Sequence, residues 1–419
     1  MSRAFDVTSL IRPDLRDLAG YTPIEPTDVL AERLGIAPGD VLKLDGNENP
    51  FGCSPRVAEA LGAYDAYHIY PDPDQRRVRD ALAAHLAVPA ERIVCGLGSD
   101  DIIDLILRAI IAPGDGVIDC PPTFGMYPFS TDIAGGKVLR AQRRGDFTLD
   151  FEAIEAVAPQ AKLIFLASPN NPTGNRLSRD DIERLLALGL LVVIDEAYIE
   201  FAGIEHSAVA MTDAHENLVV LRTFSKWAGL AGLRAGYGVM APALASMLMA
   251  IKQPYNLNVA AGVAMLASLD DKALLYERVC TIAGTRESLA AMLAEIDWMT
   301  VFPSEANFLL CRLDGLDAVE VKNRLAARGI FVRYFDTPLL IVSGLLLLIG
   351  LAVQYAVSVS GDTLEIFYRQ LIFSVVGTGL FFLFASYNYH RLAKLNRIAY
   401  IILLVALIYL VIFGDPIRG

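Results

Sequence analysis

Lys226 stands in Thr223-Phe-Ser-Lys-Trp-Ala-Gly-Leu-Ala-Gly-Leu-Arg-Ala-Gly-Tyr237, with hydroxyls at Thr223 and Ser225 before it and Arg234 eight residues after it. Small and apolar neighbours give a lysine a dry setting in which its pKa falls, and a neutral amine is a Schiff-base nucleophile. Arg234 suits the clamping of a phosphate dianion, with Thr223 and Ser225 adding hydroxyl hydrogen bonds. By itself the stretch also reads as a glycine-rich turn carrying a solvated lysine, so other segments must decide.

Two polar clusters precede it, Ser168-Pro-Asn-Asn-Pro-Thr-Gly174 and Asp195-Glu-Ala-Tyr198. In that order, the three stretches resemble the fold-type I aminotransferases that use pyridoxal phosphate. Within that group, Leu44-Asp-Gly-Asn-Glu-Asn-Pro50, Tyr70-Pro71, Cys120-Pro-Pro-Thr-Phe-Gly-Met-Tyr127 and Asp195-Glu-Ala-Tyr-Ile-Glu-Phe201 are similar to the histidinol-phosphate aminotransferases. The likeness runs from about residue 5 to Pro338.

The resemblance implies a role for each candidate residue. Lys226 exchanges the cofactor aldehyde and carries the proton of the substrate α carbon, Asp195 keeps the pyridine nitrogen protonated, and Asn171 and Tyr198 reach the phenolic oxygen. Phe124 stacks on the ring, Arg234, Thr223 and Ser225 hold the phosphate, and Tyr70 reaches the phosphate of a neighbouring subunit, which implies a homodimer. Tyr21, Asn47 and Arg333 are assigned to the substrate, with glutamate as amino donor and imidazole acetol phosphate as acceptor. Another transaminase or a decarboxylase on the same scaffold shares the cofactor motifs and is the alternative.

The elements that must position these residues are legible as alternating strands and helices. Arg92-Ile-Val-Cys-Gly-Leu-Gly-Ser-Asp-Asp101 followed by Ile-Ile-Asp-Leu-Ile-Leu reads as strand, glycine turn and amphipathic helix, with the amides of Ser99 and Asp100 at the helix start suited to a phosphate. A dinucleotide site is the rival there, but Gly96-Leu-Gly98 lacks the third glycine of that fingerprint. Strands are expected at 116–120, 161–167, 190–195 and 218–222, giving an α/β fold with a mostly parallel sheet, helices on both faces and ligands at the carboxyl ends. Helical patterns dominate from about Ala241 to Leu289, one strand is expected within Thr300–Arg312, a helix over Ala318–Arg328, and a strand over Gly329–Tyr334 bearing Arg333. The domains read as an arm over 1–40, a cofactor-binding domain over 41–240, and bridging helices with a truncated small domain over 241–336.

The net charge of −12 argues against nucleic acid, because an acidic surface repels phosphate backbones. Cys53, Cys95, Cys120, Cys280 and Cys311 have no paired spacing, so neither a metal site nor a disulfide framework is indicated. Without an apolar signal core at its N-terminus, the enzyme part is expected in the cytoplasm.

After Pro338 the character changes. Charge-poor runs at about 339–358, 371–389 and 398–413 read as three membrane spans. Tyr368-Arg-Gln-Leu-Ile-Phe, Asn388-Tyr-His-Arg-Leu and Gly414-Asp-Pro-Ile-Arg-Gly419 resemble the first membrane segments of the shape, elongation, division and sporulation family of peptidoglycan glycosyltransferases, the rod-shape type. The basic loop His390–Arg397 is expected on the cytoplasmic side, tethering the enzyme domain to the inner membrane. The arginine motif that binds the donor carboxylate in the aminotransferases is missing after Tyr334, which implies impaired turnover. An inactive chimera of the two families is the second reading.

Overall fold

The computed structural model describes residues 6–16, 18 and 20–335. Tyr21–Tyr334 form one compact unit; the described residues outside it include a single 3-10 turn, Val7–Leu10, capped by the Asp6 carboxylate, which accepts from Thr8 N at 2.9 Å. The predicted membrane spans lie outside the described residues. Among the described residues, no helix is long and apolar enough to cross a membrane.

The strands in chain order are β1 (Leu42–Lys43), β2 (Ile93–Gly96), β3 (Gly116–Asp119), β4 (Lys137–Arg140), β5 (Ala161–Ala167), β6 (Leu191–Asp195), β7 (Leu218–Thr223), β8 (Gly236–Val239), β9 (Met299–Phe302), β10 (Leu310–Leu313) and β11 (Ile330–Phe331). Seven build the main sheet in the order β2-β8-β7-β6-β5-β3-β4. Only β8 runs against the others, antiparallel to both β2 and β7, while β7, β6, β5, β3 and β4 pair in parallel.

Strands buried on both faces need apolar residues through their middle, which is why the centres of β5, β6 and β7 read as Leu, Ile, Val and Phe. Successive side chains alternate between two cores: Ile164, Leu166, Val192, Ile194 and Val220 face one, and Leu163, Phe165, Val193, Val219 and Leu221 the other. The helix Ser99–Ile110 fills the second core with Ile102, Ile103, Leu105, Ile106 and Leu107. The helix Val259–Asp270 packs into the first through Ala261, Ala264 and Met265.

Three sequence expectations are corrected. The lysine stretch is not all turn, since its end from Gly236 onward is strand β8. Thr300–Arg312 is an antiparallel hairpin, β9 with β10, because Pro303 and Ser304 break the run and Ser304 packs against Gly174. The last strand is only Ile330–Phe331, paired in parallel with Leu42–Lys43, so Arg333 lies two residues past its end rather than on it.

Candidate active site

The carboxyl ends of β3, β5, β6 and β7 all point to one edge, and each delivers a candidate residue. The strand β6 ends at Asp195, whose buried carboxylate accepts from Tyr127 Oη at 3.0 Å and from Ala197 N at 3.1 Å. No cationic side chain lies within ion-pair distance of it among the described residues. Burial, with Asp100 and Glu196 adding like charge, pushes its pKa up to about 7.

Lys226 follows β7 by three residues. Its Nζ donates to the Gly46 carbonyl at 2.9 Å and lies 5.9 Å from the centre of the Tyr198 ring. Burial lowers its pKa to about 8, with Arg234 and Lys43 acting in the same direction against Glu48 and Asp100. The loop is fixed from outside by Asn49, whose Nδ2 donates to the carbonyls of Lys226 and Trp227, each at 3.0 Å.

The other predicted residues fall into three groups. At the anion end, Ser99 opens its helix, Arg234 Nη2 bonds Asp100 Oδ2 at 3.0 Å, and Thr223 Oγ1 is 2.9 Å from Ser225 Oγ. A Cβ on Gly236 would lie 2.5 Å from Gly98 C and 2.6 Å from Ser99 N, so β8 and the turn before the helix touch backbone to backbone. Gly98 itself has φ of 83°, and a Cβ there would meet Arg234 Nη2 at 2.7 Å. At the ring end, Phe124 packs edge-on against Tyr127, and Asn171 makes no side-chain hydrogen bond to a described residue. Tyr198 Oη accepts from Asn47 Nδ2 at 3.1 Å, and burial raises the phenol to about 12.

At the third position, Arg333 Nη2 donates to Tyr21 Oη at 2.9 Å. Asn47 and Arg234 hold left-handed backbone, at φ of 52° and 55°, a strain that proteins concentrate where function over-determines the geometry. Tyr70 stands apart from this cluster. It is 76% exposed and stacks at 4.4 Å on Tyr255, which is also exposed.

Class I and II aminotransferases match the chain over residues 39–346. The chain is 52% identical over 345 residues to the histidinol-phosphate aminotransferase of Roseiflexus castenholzii, covering 79% of this chain and 92% of that protein. The chain belongs to the class I and II aminotransferases and, among them, to the histidinol-phosphate aminotransferases. Chloroplastic histidinol-phosphate aminotransferase 1 of Arabidopsis thaliana is 46% identical over 332 residues, 78% of this chain and 79% of that protein. The crystal structure of the Sinorhizobium meliloti histidinol-phosphate aminotransferase in complex with pyridoxal-5'-phosphate superposes with a TM-score of 0.70 at 28% identity, covering 78% of this chain and 90% of that one. The family match runs past Pro338, where the residue motifs alone ended the likeness.

The enzyme is a pyridoxal-phosphate-dependent transaminase, and the dinucleotide alternative falls. The residues present fit the cofactor on their own terms. Among the described residues Asp195 is a buried carboxylate without a cation, which suits a protonated pyridine nitrogen, and Lys226 is a buried amine whose pKa is lowered to about 8. The Gly98–Ser99 turn with Arg234 beside it suits a phosphate.

Sequence reasoning missed Asn49 and Tyr127 as positioning residues. Tyr127 had a local signal, one turn after Phe124 in the same motif and stacked at 5.1 Å on Phe165 of β5. Asn49 had none beyond lying in a polar loop. Arg222, which joins β7 to the residues after β6, was hidden inside an apolar strand.

Proposed function

We propose that this aminotransferase moves an amino group between glutamate and imidazole acetol phosphate, with the residue roles the sequence implies. Bound pyridoxal phosphate supplies an aldehyde for the amine and a ring that delocalises the electron pair left when the α proton departs. Lys226 Nζ takes that proton, aided by an amine pKa near working pH. Asp195 anchors the ring nitrogen, Asn171 and Tyr198 the phenolic oxygen, and Arg234, Thr223, Ser225 and the amides of Ser99 and Asp100 the phosphate, with Phe124 on the ring face. The observation that carries the substrate reading is the Tyr21–Arg333 contact, which joins two groups 312 residues apart into one polar end suited to the acceptor's phosphate.

A homodimer is supported by Tyr70, Tyr255 and Ile69, apolar groups left exposed in one chain, with Tyr70 then serving the partner's cofactor. The division into a domain over 41–240 and a smaller one over 241–336, the tail's likeness to the rod-shape glycosyltransferases, and its tethering of a cytoplasmic enzyme to the inner membrane rest on sequence alone.

The test is amino transfer in detergent-solubilised protein carrying its cofactor. With the carboxylate-binding arginine motif missing, the first half-reaction with glutamate is expected to be slow, since an unpaired anion in a closed site costs several kcal/mol and about 1.4 kcal/mol is tenfold in rate. Rapid single-turnover spectral change with glutamate would show that another group anchors the donor. Turnover with an acceptor lacking the phosphate, at the same rate as with imidazole acetol phosphate, would remove the substrate assignment.

A further inference from the structure

A cavity of about 390 Å³ is walled by Arg143, Arg144, Thr148, Arg176, Asp180 and Arg184 among others. Three of its arginines already have carboxylates. Arg144 faces Asp150 at 3.7 Å, Arg176 bonds Glu305 at 2.8 Å, and Arg184 pairs with Glu155 while lying 4.1 Å above the Phe151 ring.

Arg143 differs. It is 5% exposed, and its Nε and Nη1 donate to the carbonyls of Cys120 at 3.1 Å and Phe147 at 3.0 Å. Its Nη2 is buried with no partner among the described residues, and no carboxylate there reaches ion-pair distance; Asp119 is felt only from farther off. A guanidinium stays charged in proteins, so a buried one with a bare N–H is a cation awaiting an acceptor. On the same wall Asp181 is occupied by Ser178, leaving Asp180 as the opposing charge.

We propose that this cavity is an oxyanion site for a small phosphate or carboxylate, held by Arg143 Nη2, with Arg176 turning from Glu305 to share the charge. Its surroundings connect it to the active site. Arg143 grips Cys120, from which the loop to Phe124 departs; Phe147 packs on Phe302 at 4.9 Å; and Glu305 N donates to the Gly174 carbonyl at 2.8 Å, in the loop that carries Asn171. An occupant that draws Arg176 away from Glu305 loosens the tie between that loop and the β9–β10 hairpin.

The test uses the full chain with cofactor bound. Crystals soaked in selenate and read by anomalous scattering are expected to show an ion in this cavity, and calorimetry with inorganic phosphate and with malonate decides which oxyanion source it prefers. Glu305→Gln, which frees Arg176, should tighten that binding several-fold, and Arg143→Met should remove this ion while leaving any ion at the Arg234 end in place. Should Arg143→Met fail to fold, Arg176→Met must weaken binding instead. A cavity holding only water between Arg143 and Asp119 overturns the proposal. So does selenate in the crystal with no binding of either anion in solution, an adventitious ion only, or binding that neither Glu305→Gln nor the arginine variants alter.

Discussion

Asp195 and Glu196 are neighbours in the chain and both buried, yet they belong to opposite kinds of site. Glu196 points into the core, where it accepts from Arg222 Nη1 at 3.1 Å, Ser207 Oγ at 2.7 Å and Ala208 N at 2.6 Å, while Arg222 Nη2 bonds Glu200 at 2.9 Å. Asp195 receives two neutral donors and, among the described residues, no cation. Beneath the sheet edge the chain neutralises Glu196 and Glu200 with Arg222. At the edge it leaves a carboxylate, an amine and an anion cradle incomplete, so the partner comes from outside. A buried ion pair is weak evidence of stability, whereas a buried unpaired ion points to a ligand.

Four substitutions probe that contrast, in descending order of expected effect. Lys226→Ala should cost amino transfer about 10²–10⁴-fold, the span expected when a general base is lost, and should abolish borohydride-fixed attachment of the cofactor. Fixed cofactor in that variant would move the nucleophile elsewhere. Arg222→Met strands two carboxylates in the core and should destabilise the fold by about 3–5 kcal/mol in urea titrations. Adding Glu196→Gln and Glu200→Gln should recover most of the loss, and failure to do so would mean that Arg222 acts through packing.

Asp195 should behave in the opposite sense. Its folded pKa is raised by burial to about 7 from an ordinary 3.8, so without cofactor the folded state holds a proton that the unfolded state has lost. Stability therefore falls as pH rises from about 4 to about 7 and stays low above it. At pH 8, cofactor-free Asp195→Asn protein is expected to be more stable than its parent by roughly 2–4 kcal/mol, while losing cofactor affinity. Equal urea midpoints at pH 8 would show that Asp195 pays no burial penalty. Arg234→Ala, finally, should weaken cofactor retention by about 1.5–3 kcal/mol, read as faster release on dialysis; unchanged retention would leave the phosphate to the hydroxyls and amides alone.

The sequence carried the parts of this architecture whose physics is local. Apolar runs of four or five residues announced β5, β6 and β7, and the residues after such runs are where a parallel strand presents its ligands, so Asp195, Asn171 and Lys226 were legible. Gly-Tyr-Gly-Val of β8 was not, since its burial comes from β2 and β7 on either side rather than from its own side chains. Partnerships across long separations were equally hidden: Asn49 reaches Lys226 over 177 residues, and Tyr127 reaches Asp195 over 68. Arg222 is a charge inside a strand otherwise apolar or small, a pattern that marks a buried pair only once Glu196 and Glu200 are known to face it.

The contact of Gly236 with the Gly98–Ser99 turn sets the depth of the anion cradle by the absence of one methyl group. Any side chain at 236 acts as a wedge, and the turn can yield only by carrying its amides away from the phosphate. Drift at this position is therefore closed to the gene for as long as the cofactor is needed. A library randomised at codon 236 should return glycine alone when sorted on cofactor content, and glycine with alanine when sorted on folding alone.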